Sequence, residues 1–434
     1  MWPATVRATS DITEITLTER EALQVADNLI AVGKYTNAQK ILTQMPLTGQ
    51  TPLELERWYL LAKIERLKGN IDEAIRIYRK LLDEKPDLVK IRYELALCYM
   101  KKEQWHRADY HLRLAMAGEN LPDDVKKMMA YYRYVIRQNK RWNIWFNLGA
   151  APDNNINNGN GGEECVVNGW GRFCRDLKEP ETAVGVNLTL GGNYEFVLSD
   201  HWRWKSDANV YSNMYDKHEY DDLYLTASTG PRYIWNRGDV WLAAIGVRRR
   251  YGGKGYNRSY GGKAETNYDF TRSLSGGLTL RTLSNKYDEY GPFLNGRTYS
   301  GNLRISYAFD AHLYTVLRTG LTREKTVNPI YSYWQPSVGI GFGAELSHGF
   351  HIYAEPFFYW TTYDDKQWVV KNNRFTQITE RDFAQRYAVS LSNNKFDIWG
   401  FVPTVTLSFT KRDSNIWQRE YKKTTLEFTF QQRF

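Results

Sequence analysis

No stretch of this 434-residue sequence is apolar for long. The longest uninterrupted apolar run, Val240 to Val247, stops at Arg248, whereas a spanning helix needs about 20 apolar residues. A helical membrane anchor is therefore excluded. The start, Met1-Trp2-Pro3-Ala4, lacks the basic and apolar regions of a signal peptide, which fits a mature form if the chain is exported. The formal charge of +9 is dispersed, with no Lys/Arg block dense enough to argue for nucleic acid. Nucleotide-binding loops, dinucleotide fingerprints, nucleophile elbows and H-E-x-x-H metal motifs are all missing, so no catalytic residue, cofactor or metal is expected. The seven His are scattered; His348 and His351 flank an expected tight turn, and His106 and His111 fall on expected helices.

Only three cysteines occur. Cys98 falls on a helix face beside Leu95 and Tyr99 and reads as a buried thiol. Cys165 and Cys174 lie in a Gly/Asn-rich stretch and suit a small disulfide in an oxidising compartment.

What is abundant is aromatic: 15% of residues, with 31 Tyr and 15 Trp. Mean hydropathy is -0.59 and a quarter of the residues are charged, which looks soluble. A transmembrane β-barrel escapes the hydropathy test because alternate residues face a polar lumen, and aromatic girdles mark its two membrane interfaces.

Two periods divide the chain. From Thr18 to about Arg137 the apolar spacing is helical and repeats. Ala26, Ala62 and Ala96 recur at offsets of 36 and 34, as do Ala38, Ala74 and Ala108, with Gly33 and Gly69 at turns between helices. In the middle copy Trp58, Leu61, Ala62, Gly69, Ala74, Tyr78 and Pro86 fall at tetratricopeptide spacing, where small residues let paired helices cross closely. The segment resembles about three such repeats, closed by a helix over Val125–Arg137. That resemblance implies a groove for a client peptide or protein, lined by Tyr59, Lys63, Arg66, Tyr93, Leu97, Met100 and Lys101; the same positions also read as ordinary solvated helix surface.

From about Arg141 the period is two. Val184-Val186-Leu188-Leu190, Leu303-Ile305-Tyr307-Phe309 and Val338-Ile340-Phe342-Ala344-Leu346 alternate with polar or tiny residues, the last with Gly339, Gly341, Gly343 and Glu345. The glycine row reads either as barrel curvature or as a substrate track. Long polar loops near 151–181, 215–221, 252–259, 285–297, 323–334, 362–380 and 411–420 alternate with short turns. Seven loops and six turns predict a 14-stranded antiparallel barrel with both ends on one side. The expected domains are an extended segment 1–17, a periplasmic repeat domain 18–140 and an outer-membrane barrel 141–434. First and last strands, near Asn143–Gly149 and Thr424–Phe434, close the wall and form a seam. Leu426, Phe428, Phe430 and Phe434 alternate with polar residues, and a last strand ending in Phe resembles the insertion signal of bacterial outer-membrane barrels.

This architecture, with the tail Phe401-Val402-Pro403 through Lys411-Arg412 and Ser414-Asn415-Ile416, resembles the surface lipoprotein assembly modulators, the Slam proteins. The resemblance implies an outer-membrane translocon, not an enzyme. It would carry client proteins, surface lipoproteins or secreted haem-binding proteins, from periplasm to cell surface. The implied partners are that client, periplasmic chaperones, the barrel assembly machinery and outer-membrane lipid, with the chain itself a monomer. An exopolysaccharide export porin with a repeat docking domain, or a passive solute channel, are the alternative readings.

Overall fold

A computed structural model describes residues 17–45, 52–118, 121–168, 171–396 and 401–432. The expected extended segment, apart from Leu17, lies outside them, as does Phe434. Two compact units are present, Met1–Leu81 and Leu82–Phe434.

The first unit holds α1 (Glu19–Ala31), α2 (Tyr35–Gln44), α3 (Pro52–Lys68) and most of α4 (Ile71–Glu84). Thr18 starts α1 with a capping box, its hydroxyl and Glu21 satisfying one another's backbone N–H groups. Ala26, Ala38, Ala62 and Ala74 have no exposed surface, so helices approach where a larger side chain would hold them apart. Gly33 (φ 76°) and Gly69 (φ 92°) make the left-handed turns between paired helices.

The second unit opens with α5 (Val89–Lys101), α6 (Trp105–Met116) and α7 (Asp123–Asn139). Ala96 and Ala108 are again fully buried, and Glu103 (φ 57°) takes the turn position that glycine holds upstream.

The barrel strands follow: β1 (Trp142–Asp153), then β4 (Ala183–Val197), β5 (Trp202–Tyr215), β6 (Asp222–Trp235), β7 (Gly238–Tyr251) and β8 (Lys254–Asp269). They continue as β9 (Leu274–Tyr287), β10 (Gly296–Ala308), β11 (Leu313–Thr326), β12 (Tyr333–Glu345), β13 (Phe350–Lys371), β14 (Arg374–Asn393), β15 (Phe401–Ser414) and β16 (Tyr421–Gln432). The short strands β2 (Glu163–Asn168) and β3 (Gly171–Asp176) pair separately as a hairpin in the loop after β1. The other fourteen form one closed antiparallel barrel in sequence order, as the loop alternation predicts. Closure pairs β1 with β16, so no whole strand is left at a sheet edge.

Two expected loops are built differently. The stretch near 362–380 continues as strand, β13 and β14 running on to a tight turn at Asn372 (φ 51°) and Asn373 (φ 60°), with a register shift between Thr362 and Lys366. Polar residues on either side of the turn read as loop, although Trp368, Val370 and Phe375 share one face of the hairpin. The stretch near 252–259 is a two-residue turn at Gly252–Gly253 followed directly by β8.

Side-chain alternation fixes the two faces. Leu188, Leu190, Ile340, Phe342, Leu407, Phe428 and Phe430 stand on the outer face, while Arg232, Lys263, Arg318 and Glu355 ion-pair on the inner one.

Candidate functional site

The inner face of β12 is its glycine row. A Cβ at Gly343 would lie 2.2 Å from Tyr314, one at Gly341 2.0 Å from the Tyr353 hydroxyl, and one at Gly339 2.5 Å from Phe357. Neighbouring strands lay these rings over the glycines. The row is thus occupied by aromatic side chains and is not an open track. Tyr353 is fixed in turn, donating to Glu355 (2.6 Å) and accepting from Arg318 (3.0 Å).

The short-turn end of the barrel carries α5–α7. Arg92 of α5, with no exposed side-chain surface, reaches Glu345 at the end of β12 (2.7 Å) and donates to the Pro86 carbonyl (2.6 Å). Tyr110 of α6 donates to the same carboxylate. From α7, Arg133 bridges Asp109 (2.7 Å) and Asp269 (3.0 Å), and Arg137 reaches Asp269 (2.7 Å) and the Asn236 carbonyl in the β6–β7 turn. Arg203 of β5 donates to Gln138. Helices and short turns therefore share one end, held by charge-assisted bonds.

Between these helices and the wall lies a cavity of about 380 Å³, lined by Asp109, Arg133 and Lys140 on one side and Glu195, Arg232 and Asp269 on the other. Arg232 grips Glu195 with two bonds (2.6 and 2.7 Å) and Asp239 at 3.0 Å. Lys205 and Lys263 sit over the Trp241 ring at 4.1 and 4.0 Å. Burial, and then Lys140, lower the His106 ring to about 3. Burial lowers Lys140 to about 8 against the opposing pull of Asp109. Burial pushes the Asp109 carboxyl up, but Arg133, Arg113 and Arg137 together hold it below the usual range. The lining holds more Arg and Lys than Asp and Glu, and its carboxylates are bound up in ion pairs that tie helices to wall. Among the described residues, the one candidate metal cluster is Glu163, Cys165 and Cys174, whose sulfurs form a disulfide.

The seam is uneven. β1 pairs with β4 without a break from Trp142↔Tyr194 to Asp153↔Ala183. With β16 it pairs from Asn147↔Gln431 to Ala150↔Phe428 and again at Asp153↔Thr425, skipping Ala151 and Pro152 among the described residues. Pro152 has no N–H to give. Side chains lace the loop end instead: Lys423 to Asp153 (2.5 Å), Thr424 N–H to Asn154 Oδ1 (2.7 Å), Asn155 to the Lys422 carbonyl (2.9 Å) and Asn160 to the Trp417 carbonyl (2.7 Å).

Of the expected groove residues, Tyr59, Lys63 and Arg66 lie on α3 of the first unit, and Tyr93, Leu97, Met100 and Lys101 on α5 of the second. Tyr59 is a correction: only 3% exposed, with its ring 6.3 Å from that of Tyr78, it belongs to the helical core. Lys63 pairs with Asp27 (2.8 Å). Phe428 and Phe430 stand half-exposed on the outer face of β16. Cys165 and Cys174 are joined across β2 and β3, and Cys98 is buried and outside any disulfide. Sequence reasoning missed the docking residues Arg92, Arg133, Arg137 and Asp269, and the latch role of the Asn-rich loop. A lone Glu closing a glycine row, and an Arg on an apolar helix face, were the faint signals available.

The family model described as surface lipoprotein assembly modifier matches residues 142–434. Surface lipoprotein assembly modifier 1 of Haemophilus influenzae is 22% identical over 431 residues, covering 94% of this chain and 85% of that one. Its namesake in Neisseria meningitidis is 24% identical over 397 residues, 87% of this chain and 75% of that one. The hemophilin secretion modulator of Acinetobacter baumannii is 20% identical over 271 residues, 60% of this chain and 52% of that one. Among solved structures, a bacterial polysaccharide outer membrane secretin aligns at TM-score 0.36 and 13% identity, covering 67% of this chain and 98% of that one.

Proposed function

The chain belongs to the surface lipoprotein assembly modifier family, and we propose that it delivers specific client proteins across the outer membrane to the cell surface or beyond. In this reading the short-turn end faces the periplasm, as short turns do in bacterial barrels. The helices seated there form tetratricopeptide-type repeats that receive the client from periplasmic chaperones. The half-buried Tyr93, Leu97 and Met100 of α5, with the exposed Lys101, offer one side of that reception surface. Clients are surface lipoproteins, or secreted proteins of the kind the hemophilin secretion modulator is named for.

One observation carries the reading: the paired charges that seat α5–α7 on the turn end of a closed barrel join a helical recognition surface to the channel mouth. The client's exit is the seam between β1 and β16, where the ladder is broken at Ala151–Pro152 and side-chain lacing supplements the short stretches of backbone pairing that remain.

The test is display of an epitope-tagged surface lipoprotein in cells whose own copy of this chain is deleted, read by protease shaving. Reintroducing the full chain is expected to make the tag protease-accessible. A variant with cysteines at the directly opposed Ala150 and Phe428 should lose display when oxidised and regain it with reductant. Undiminished display with the seam locked overturns the seam route. Absence of display with the unmodified chain, together with a large steady conductance in liposomes, overturns the delivery reading itself.

A further inference from the structure

On the outer face of the barrel, at its loop end, cations stand directly opposite one another. Arg248 pairs in register with Arg258, Arg258 with Lys286, and on the next strands Arg297 with Lys325. Facing side chains on paired strands are about 5 Å apart at Cβ, and like charges so placed repel. Asp288 reaches Arg248 (2.8 Å) and Arg258 (3.5 Å). Among the described residues no carboxylate lies within ion-pair reach of Lys286, Arg297 or Lys325, all three exposed. A row of this kind on a strand face is stable when an anion sits on it.

Directly below, toward the barrel's middle, the same face carries a groove of about 760 Å³. Its floor is Gly262 and Gly301, and its walls are Leu280, Tyr299, Leu321 and Trp334. Arg323 closes the upper rim, stacked over Trp334 at 5.1 Å and bonded to Asp364 at 2.7 Å. A Cβ on Gly262 would meet nothing nearer than Thr282 at 3.8 Å, so the floor is low because the groove is empty of protein. Gly301 lies four residues along β10 from Arg297, and Leu321 four along β11 from Lys325. The cations therefore stand at the loop-end rim of the groove, which Lys325 itself helps to line, so that a headgroup among them leaves its acyl chain over the groove.

We propose that this face binds a phosphorylated, acylated glycolipid of the outer leaflet. One acyl chain lies in the groove over Gly262 and Gly301, and the phosphates sit among Arg258, Lys286, Arg297 and Lys325. A glycolipid bearing two phosphates fits this row better than a phospholipid bearing one, because the cations span four strands. The site lies on the wall away from the seam strands β1 and β16, so it anchors the barrel without obstructing that seam. The proposal rests on the long-loop end facing outward. Maleimide labelling of an Arg258→Cys variant on intact cells reports that orientation separately from lipid retention.

Native mass spectrometry of the detergent-purified full chain, with bis-phosphorylated lipid A, phosphatidylglycerol, phosphatidylethanolamine or inorganic pyrophosphate added, is the test. Lipid A should be retained, and the R258Q/K286Q/R297Q/K325Q variant, which removes four cations from the membrane surface, should weaken it at least about tenfold. Gly262→Leu, which fills the groove and leaves every charge in place, should weaken lipid A to a similar degree. Heat-modifiable migration of each variant confirms a folded barrel, and the glycine variant keeps the test decisive if the fourfold variant does not fold. Unchanged lipid A retention in either folded variant overturns the proposal. So does phosphatidylglycerol binding as tightly as lipid A, or pyrophosphate binding alone.

Discussion

Replacing Glu345 by Leu removes the carboxylate that Arg92 meets at 2.7 Å where no part of the Arg92 side chain touches solvent. The guanidinium keeps its bond to the Pro86 carbonyl but loses its counter-charge, and the Tyr110 hydroxyl loses its bond to that carboxylate. Stranding one partner of a buried pair costs about 3–5 kcal/mol. Glu345 belongs to the wall and Arg92 to α5, so most of that cost falls on docking rather than on either fold. At 1.4 kcal/mol per factor of ten, release of the helices becomes roughly 140- to 3700-fold more populated. The assay is trypsin cleavage at Lys126–Lys127 of α7 in the detergent-solubilised chain, with heat-modifiable migration verifying the barrel. Where release and return outpace cleavage, the rate follows the released population. The double variant R92M/E345L should restore protection to within about tenfold, because an apolar pair in place of a buried ionic one is often neutral. Cleavage of E345L within a few-fold of the parent, with the barrel intact, refutes the view that this pair seats the helices.

Acid should loosen the same docking. His106 is held near 3 against an ordinary 6.5, so the docked state binds fewer protons than the released state between those values. Stability from this group is whole above pH 6.5 and falls as pH drops; between pH 7 and 5 the loss is about 2 kcal/mol, and a His106→Gln variant should lose less over that interval. Trp105 fluorescence across the interval reads the change. Gly341→Ala should lower the barrel's thermal midpoint, since its Cβ would drive Tyr353 off Glu355 and Arg318 at a cost of about 1–3 kcal/mol. Gly262→Ala, with 3.8 Å to spare, should leave that midpoint unchanged.

The sequence alone determined the architecture. Period-two alternation over 141–434 separates the two faces of each strand, and loop lengths that alternate count fourteen strands, because both signals are local and repeat many times. The alanines at offsets of 36 and 34 mark where helices touch for the same reason: a crossing point tolerates no larger side chain, and all six are fully buried. The stretch near 362–380 escaped, because its polar residues outnumber the few apolar ones, Trp368, Val370 and Phe375, that share one face, and the turn at Asn372–Asn373 is set by local backbone chemistry. Tyr59 escaped because helical position fixes a direction but not what lies opposite; Tyr78 does.

Only the tertiary structure decided what joins these parts. Arg92 and Glu345 lie 253 residues apart, Arg137 and Asp269 132. A charge on an isolated helix or strand has no mark of its distant partner. The filling of the glycine row by Tyr314, Tyr353 and Phe357, the lacing of the seam by Asn154, Asn155 and Lys423, and the cation row above Gly262 arise the same way. Closing the barrel sets the register of each strand against the next, and register alone decides which side chains face each other.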